Sequence, residues 1–162
     1  MSAIRPEELY ESDFYAWTQA QAKELRRFAR TRPNVPLDLA HLAEEIRDLG
    51  KSEYEAVFSL AQQILQHFLL IEHSPALDQR LHWADEIDGF RDQLERKLSP
   101  TIRRRLKREF EEAFARARRR VHRKMHRYGE EHAAASLPAA CPYTVEQVLG
   151  DWMPREDPPR PA

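Results

Sequence analysis

Four glycines in 162 residues constrain the fold more than any other feature of this chain. Tight β-hairpin turns need residues at positive φ, and glycine is their main supplier. A sequence so poor in glycine, with long Arg-, Glu-, Leu- and Ala-rich stretches, is read as all-α. The expected architecture is an antiparallel helical bundle of about five main helices with a short C-terminal helix, forming one domain over 1–154. Residues 155–162 follow as a disordered tail, because Pro154, Pro158, Pro159 and Pro161 crowd the last nine positions.

Apolar spacing of three and four sets the expected helices. The first runs from Pro6 to Thr31 on a stripe of Tyr10, Phe14, Trp17, Leu25 and Phe28, and the Pro33 to Pro36 segment ends it. Asp38 is the expected N-cap of a second helix carrying Leu39, Leu42, Ile46 and Leu49, with Gly50 as its stop. Ser52 to Glu55 reads as a capping box that opens a third helix, the most apolar of the set, ending near Pro75. A fourth is expected from Ala76 to Leu98. Ser99-Pro100 opens a fifth, with Ile102, Leu106, Phe110, Ala113, Ala117, Val121 and Met125 inward and Tyr128-Gly129 at its end. The four long helices have matched lengths of roughly 35 to 43 Å, as a bundle requires. Thr144 to Gln147 is a second capping box, with Gly150 after it.

Composition removes several classes. The longest stretch without formal charge, Ala56 to Ile71, contains Gln62, Gln63, Gln66 and His67, and falls short of the ~20 apolar residues that span a bilayer. No membrane partner is expected. The polar, acidic start lacks an export signal, and the single Cys141 excludes internal disulfides, so the expected address is the cytoplasm. The net charge of −1 conceals segregation: between Arg91 and Arg127 fifteen Lys/Arg face five Asp/Glu.

Asp13-Phe14-Tyr15 with Trp17, then Leu42 with Glu44-Glu45-Ile46 and Leu49-Gly50 with Ser52-Glu53, then Cys141-Pro142-Tyr143-Thr144 with Glu146 to Leu149, resemble the bacterial domain-of-unknown-function family twenty-nine. The match runs from Asp13 to Pro154, with Ile71 standing where an aromatic is expected. The resemblance implies an all-helical bundle and brings no activity with it. Asp13, Trp17, Glu44, Glu45, Ser52, Cys141 and Tyr143 are the motif residues it singles out.

Candidate chemistry is sparse. His41/Glu45, His82/Glu86 and His122/His126 each place two ligands one turn apart, yet none implies a third, so no metal and no cofactor is expected. Glu44 and Glu45 point about 100° apart, which leaves at most one for a groove. Cys141 has no neighbouring base and reads as a small buried hydrophobe. Arg116 to His122 and Arg120 to His126 match the Arg-to-His spacing of small helical ribonucleases, a pattern that an arginine-rich segment satisfies by composition. The basic helix 100–128 is the sharpest feature. Arg103, Arg104, Arg118, Arg119 and Arg123 are its expected outward face for an acidic protein surface or RNA. The expected function is a protein- or RNA-interaction or regulatory module without catalytic activity; a metal-dependent or ribonuclease-like helical enzyme is the alternative. Self-association is compatible with either.

Overall fold

The computed structural model describes residues 5–155. All regular structure among them is helical: α1 (Pro6–Ser12), α2 (Phe14–Arg30), α3 (Leu39–His73), a 3-10 turn (Leu77–Gln79), α4 (Arg80–Lys97), α5 (Pro100–Arg108), α6 (Phe110–Arg127), α7 (Glu131–Ala135) and α8 (Val145–Leu149). The all-α class is as expected, while the division into helices differs in five places. The fourth helix, expected from Ala76, begins at Arg80 as α4 after a 3-10 turn, and α7 has no counterpart among the expected helices. Three further differences each turn on one residue. Residues 156–162 of the expected tail lie outside the described residues.

The first of these three is Asp13, which divides the expected first helix. It leaves helical space at φ −153 and ψ 77. In that conformation its carboxylate accepts from the Ala16 N–H at 3.0 Å, capping α2. The second is Gly50. Instead of stopping a helix it lies inside the 35-residue α3, and Ser52 and Glu55 continue that helix rather than opening a new one. A Cβ on Gly50 would stand 2.0 Å from Thr18 Oγ1, so the glycine serves a close approach of α2 and not a turn. The third is Glu109, at φ −100 and ψ 12, which separates α5 from α6 without glycine or proline at the break. Several expected ends hold. Ser99 Oγ accepts from the Ile102 N–H at 3.3 Å, Gly129 takes φ 73, and the Thr144–Gln147 capping box is complete.

The described residues form two compact units, one of 5–57 with 98–105 and one of 58–97 with 106–155. In the first, Tyr10 and Trp17 meet edge to face at 4.8 Å, and Trp17 stacks on Phe14. The buried stripe at the start of α3 is Leu39, Ala43, Gly50, Tyr54 and Val57. Leu42 and Leu49, expected inward, are 40% and 55% exposed. The small residues Ala43 and Gly50 take the inner positions because they admit a neighbouring backbone more closely than leucine can. Arg105 stacks on the Tyr54 ring at 3.8 Å and donates to Tyr15 Oη at 2.9 Å.

In the second unit the core centres on Phe68, fully buried with Ile64, Leu65 and Leu69. The segment after Cys141 folds onto it: Tyr143 and Trp152 meet the Phe68 ring edge-on at 5.2 and 5.1 Å. Arg91 fastens this segment, donating to the carbonyls of Gln147, Val148 and Trp152 at 2.9, 3.2 and 2.6 Å. A guanidinium is suited to this task, since its five donors form a fixed fork.

Candidate functional site

α6 begins with Glu111 and Glu112 and ends with Lys124, His126 and Arg127, a charge order that complements the helix dipole at both ends. Phe110, Ala113, Phe114, Ala117, Val121 and Met125 fix its inner face. From Arg116 onward the helix carries seven Lys/Arg and no carboxylate. Arg116, Arg120, Arg123, Lys124 and Arg127 recur at spacings that place them in one stripe.

The structure sorts these cations by what holds them. Arg116 pairs with Glu112 at 2.7 Å and lies over the Phe58 ring. Arg118, expected outward, is half-buried and donates from Nε to the Pro138 carbonyl at 2.8 Å. Lys124 lies over the Trp83 ring with Nζ 5.7 Å from its centroid. Arg119, Arg120, Arg123 and Arg127 are exposed and pair with no carboxylate among the described residues. On α5, in the other unit, Arg103 and Arg104 are exposed, and Arg104 donates to Thr101 Oγ1 at 2.8 Å.

Between the C-terminal halves of α3 and α6 lies a cavity of about 350 Å³, lined by Gln66, His67, Arg120, Lys124, Arg127 and Tyr128 among others. A second of about 250 Å³ shares Leu70, Lys124 and Tyr128 with it and reaches Trp83 and Ala76. The two adjoin as one groove, with Arg120 and Arg127 at one end and, at the other, a recess where Leu70, Ala76 and Trp83 lie beside Ser74, Gln79 and Glu130. Tyr128, 71% exposed, stands where they join. Gln66 Nε2 is screened from water and has no acceptor among the described residues. His67 is already engaged: its ring nitrogens meet the Gln63 carbonyl at 2.7 Å and Glu86 Oε2 at 2.6 Å. Sequence reading marked Arg118, Arg119 and Arg123. Arg120, Lys124, Arg127, Tyr128 and Gln66, which line the groove, were missed, although the stripe spacing on α6 was available to find the first three.

A larger cleft of about 680 Å³ is lined by Glu72, His73, Arg80, His132 and Ser136 among others. His73 Nδ1 lies 3.2 Å from Ser136 Oγ, and burial holds the His73 pKa below its ordinary value. Ser136 Oγ, however, donates to the Ala133 carbonyl at 2.8 Å. That carbonyl, the nearer of the two acceptors, competes with the imidazole for the hydroxyl proton, unlike the surroundings of a serine activated by a histidine base.

The remaining motif residues are structural or solvated. Asp13 receives Ser99 Oγ at 2.9 Å and the Thr101 N–H at 2.8 Å as well as Ala16. Burial opposes its ionisation, yet these hydrogen bonds prevail and hold its pKa below 3.8. Trp17 belongs to the aromatic cluster of α1 and α2. Glu44, Glu45 and Ser52 are exposed, with Glu44 3.6 Å from Arg47. The buried Tyr143 donates its hydroxyl to Glu72 at 2.5 Å, and burial together with that carboxylate raises its pKa. Burial pushes the Cys141 thiol up to about 11, which removes the thiolate that nucleophilic work needs.

The histidine pairs do not assemble as metal ligands. His41 Nδ1 pairs with Asp38 at 2.5 Å and His126 Nδ1 with Glu131 at 2.6 Å. His67 and His82 both approach Glu86 Oε2, at 2.6 and 3.7 Å, so their nitrogens converge on an oxygen and not on a vacant point. Among the described residues no three His, Cys, Asp or Glu form a group that could hold a metal ion. Arg116/His122 and Arg120/His126, each six residues apart on α6, point about 120° apart around the helix and do not converge. No helix among the described residues is long and apolar enough to cross a membrane.

Comparison with known proteins bears on the fold and the family. An α-helical protein of unknown function from Rhodospirillum rubrum, known from its crystal structure, is similar at 29% identity. The TM-score is 0.76, covering 86% of this chain and 88% of that one. No curated protein matches the chain. The family model described as "Domain of unknown function DUF29" matches residues 9–153.

Proposed function

The chain belongs to the DUF29 family, and we propose that it is a non-catalytic interaction module that engages a polyanionic partner through α6. The observation that carries this reading is the set of exposed arginines on α6 that no carboxylate neutralises among the described residues. Like charges three and four residues apart each cost a few tenths of a kcal/mol. Arg120/Lys124, Arg119/Arg123 and Arg123/Arg127 all stand in that relation. A helix that keeps them without acidic relief is poised for a partner that supplies the missing charge. Arg119 and Arg123 remain on the proposed face, and Arg120 and Arg127 join them. Arg118 is committed to Pro138. The cytoplasm is the proposed setting, supported by the single, half-buried cysteine.

The test is fluorescence anisotropy of the purified protein with labelled polyanions, single-stranded RNA and poly-glutamate, across a salt series. Binding that weakens as salt rises, and that falls at least tenfold in an Arg119→Glu/Arg123→Glu variant of unchanged helicity, supports the reading. Reversing Arg103 and Arg104 on α5 in the same way serves as the comparison. Absence of polyanion binding at low salt refutes it.

A further inference from the structure

We infer that the groove between α3 and α6 takes single-stranded nucleic acid, with a base stacked on Tyr128 and the adjoining phosphates held by Arg120 and Arg127. The inference rests on the polyanion reading above and specifies its ligand.

Three observations narrow the class. An acidic protein surface needs cations alone, whereas this groove joins its cations to an exposed aromatic face: Tyr128, shared by both cavities, is solvated over most of its surface. Stacking of bases on such side chains, beside a positively charged track for the backbone, is how single strands are held without sequence readout. Second, the recess beyond Tyr128 joins apolar walls of Leu70, Ala76 and Trp83 to the polar groups of Ser74, Gln79 and Glu130, a mixed lining that suits the apolar faces and hydrogen-bonding edges of a heterocycle, while Glu130 repels a carboxylate. Third, Gln66 lines the cationic cavity with an Nε2 that has no acceptor among the described residues. A buried donor left unmatched costs free energy, and rotation of the Gln66 amide into the cavity would present it to a base carbonyl or a phosphate oxygen. Duplex is disfavoured by the same features, since its bases are stacked on one another and unavailable to Tyr128.

Lys124 occupies the boundary of both cavities. Its position over Trp83 holds the ammonium beside the recess, where it meets the phosphate next to the stacked base. Three cations contacting phosphates predict a slope of about −2 for log K against log salt, at roughly −0.7 for each contact in a single strand.

The experiment is anisotropy with a labelled single-stranded RNA of mixed sequence, competed by inorganic polyphosphate, by poly-glutamate, by an abasic oligomer of equal length and by duplex RNA. The RNA is expected to outcompete all four. Tyr128→Ala is expected to weaken RNA binding roughly tenfold and leave polyphosphate binding unchanged, whereas Tyr128→Phe retains RNA affinity. Arg120→Glu/Arg127→Glu is expected to weaken both ligands. Tyr128 is exposed, so its replacement spares the core, and melting temperature with far-ultraviolet circular dichroism checks this. Polyphosphate or abasic oligomer binding as tightly as RNA, with Tyr128→Ala indifferent, overturns the stacking inference while leaving the polyanion reading in place. Poly-glutamate binding more tightly than RNA overturns it in favour of an acidic protein partner. Failure of every polyanion to bind removes both.

Discussion

Gly50→Ala sets two opposing effects against each other, and the structure decides the sign. In a solvent-facing helix interior, alanine gains about 1 kcal/mol over glycine. At position 50 the new Cβ would stand 2.0 Å from Thr18 Oγ1 and 3.1 Å from Thr18 Cβ. Thr18 is fully buried and its hydroxyl donates to the Tyr15 carbonyl at 2.7 Å, so it cannot swing aside freely. Relief costs that hydrogen bond, about 1 kcal/mol, and an overpacking penalty of about 1–3 kcal/mol. The net expectation is a loss of about 1–3 kcal/mol, a fall in melting temperature of roughly 3–9 °C for a chain of this length. Gly89→Ala is the matched control: that glycine lies in α4 with nothing within 4 Å of the added Cβ, so it should raise stability by about 0.5–1 kcal/mol. Thermal melts of both variants, with Thr18→Ala alone and combined with Gly50→Ala, give the cycle. The combined loss should be smaller than the sum of the single losses, because removing Oγ1 clears the collision. A Gly50→Ala protein that melts as high as Gly89→Ala would refute the close-approach argument.

Three further expectations follow from groups already placed. Because the Asp13 pKa is depressed on folding, its contribution is present above the ordinary value of 3.8 and is lost as pH falls through the lower folded value. Asp13→Asn should therefore destabilise the protein at neutral pH and reduce the further loss below pH 3.8, read from urea melts at several pH values; an unchanged acid limb counts against this. Arg91→Met removes donors to three carbonyls of the C-terminal segment, each charge-assisted bond worth roughly 1.5–3 kcal/mol when removed singly, and should expose residues after Cys141 to limited proteolysis before the rest unfolds. His122→Ala/His126→Ala should leave RNA binding nearly unchanged and abolish no cleavage, assayed on labelled RNA; loss of a cleavage activity present in the parent protein would restore the ribonuclease-like alternative.

How much of this was legible in the sequence depended on whether the deciding partner was local. The Thr144–Gln147 box, the Ser99 cap and the Gly129 terminus involve residues within a few positions of one another, and all were readable. Gly50 was not. A glycine that ends a helix and a glycine that lets another helix approach look alike in one dimension, and only Thr18 on α2 distinguishes them. The same distant contact moved the inner stripe of α3 from Leu42 and Leu49 to Ala43 and Gly50, small residues that hydrophobic periodicity undervalues. For the candidate site, the excess of cations on α6 could be counted directly, but the edge of the helix facing the recess is set by Leu70 and Trp83 on other elements. That is why Arg118 was expected outward, although it is held by Pro138, and why Arg120 and Arg127 were overlooked.

The carboxylate of Asp13 satisfies backbone N–H groups at the start of both α2 and α5, Ala16 on one and Thr101 on the other. Two helix ends that share one cap are coupled, since displacing the carboxylate strands a donor on each. Their first-turn amides should therefore exchange with solvent as one cooperative group, with equal opening free energies and equal denaturant dependence, despite more than eighty residues of intervening chain. In Asp13→Asn the shared latch weakens, and the amide protons of Ala16 and Thr101 should lose protection together.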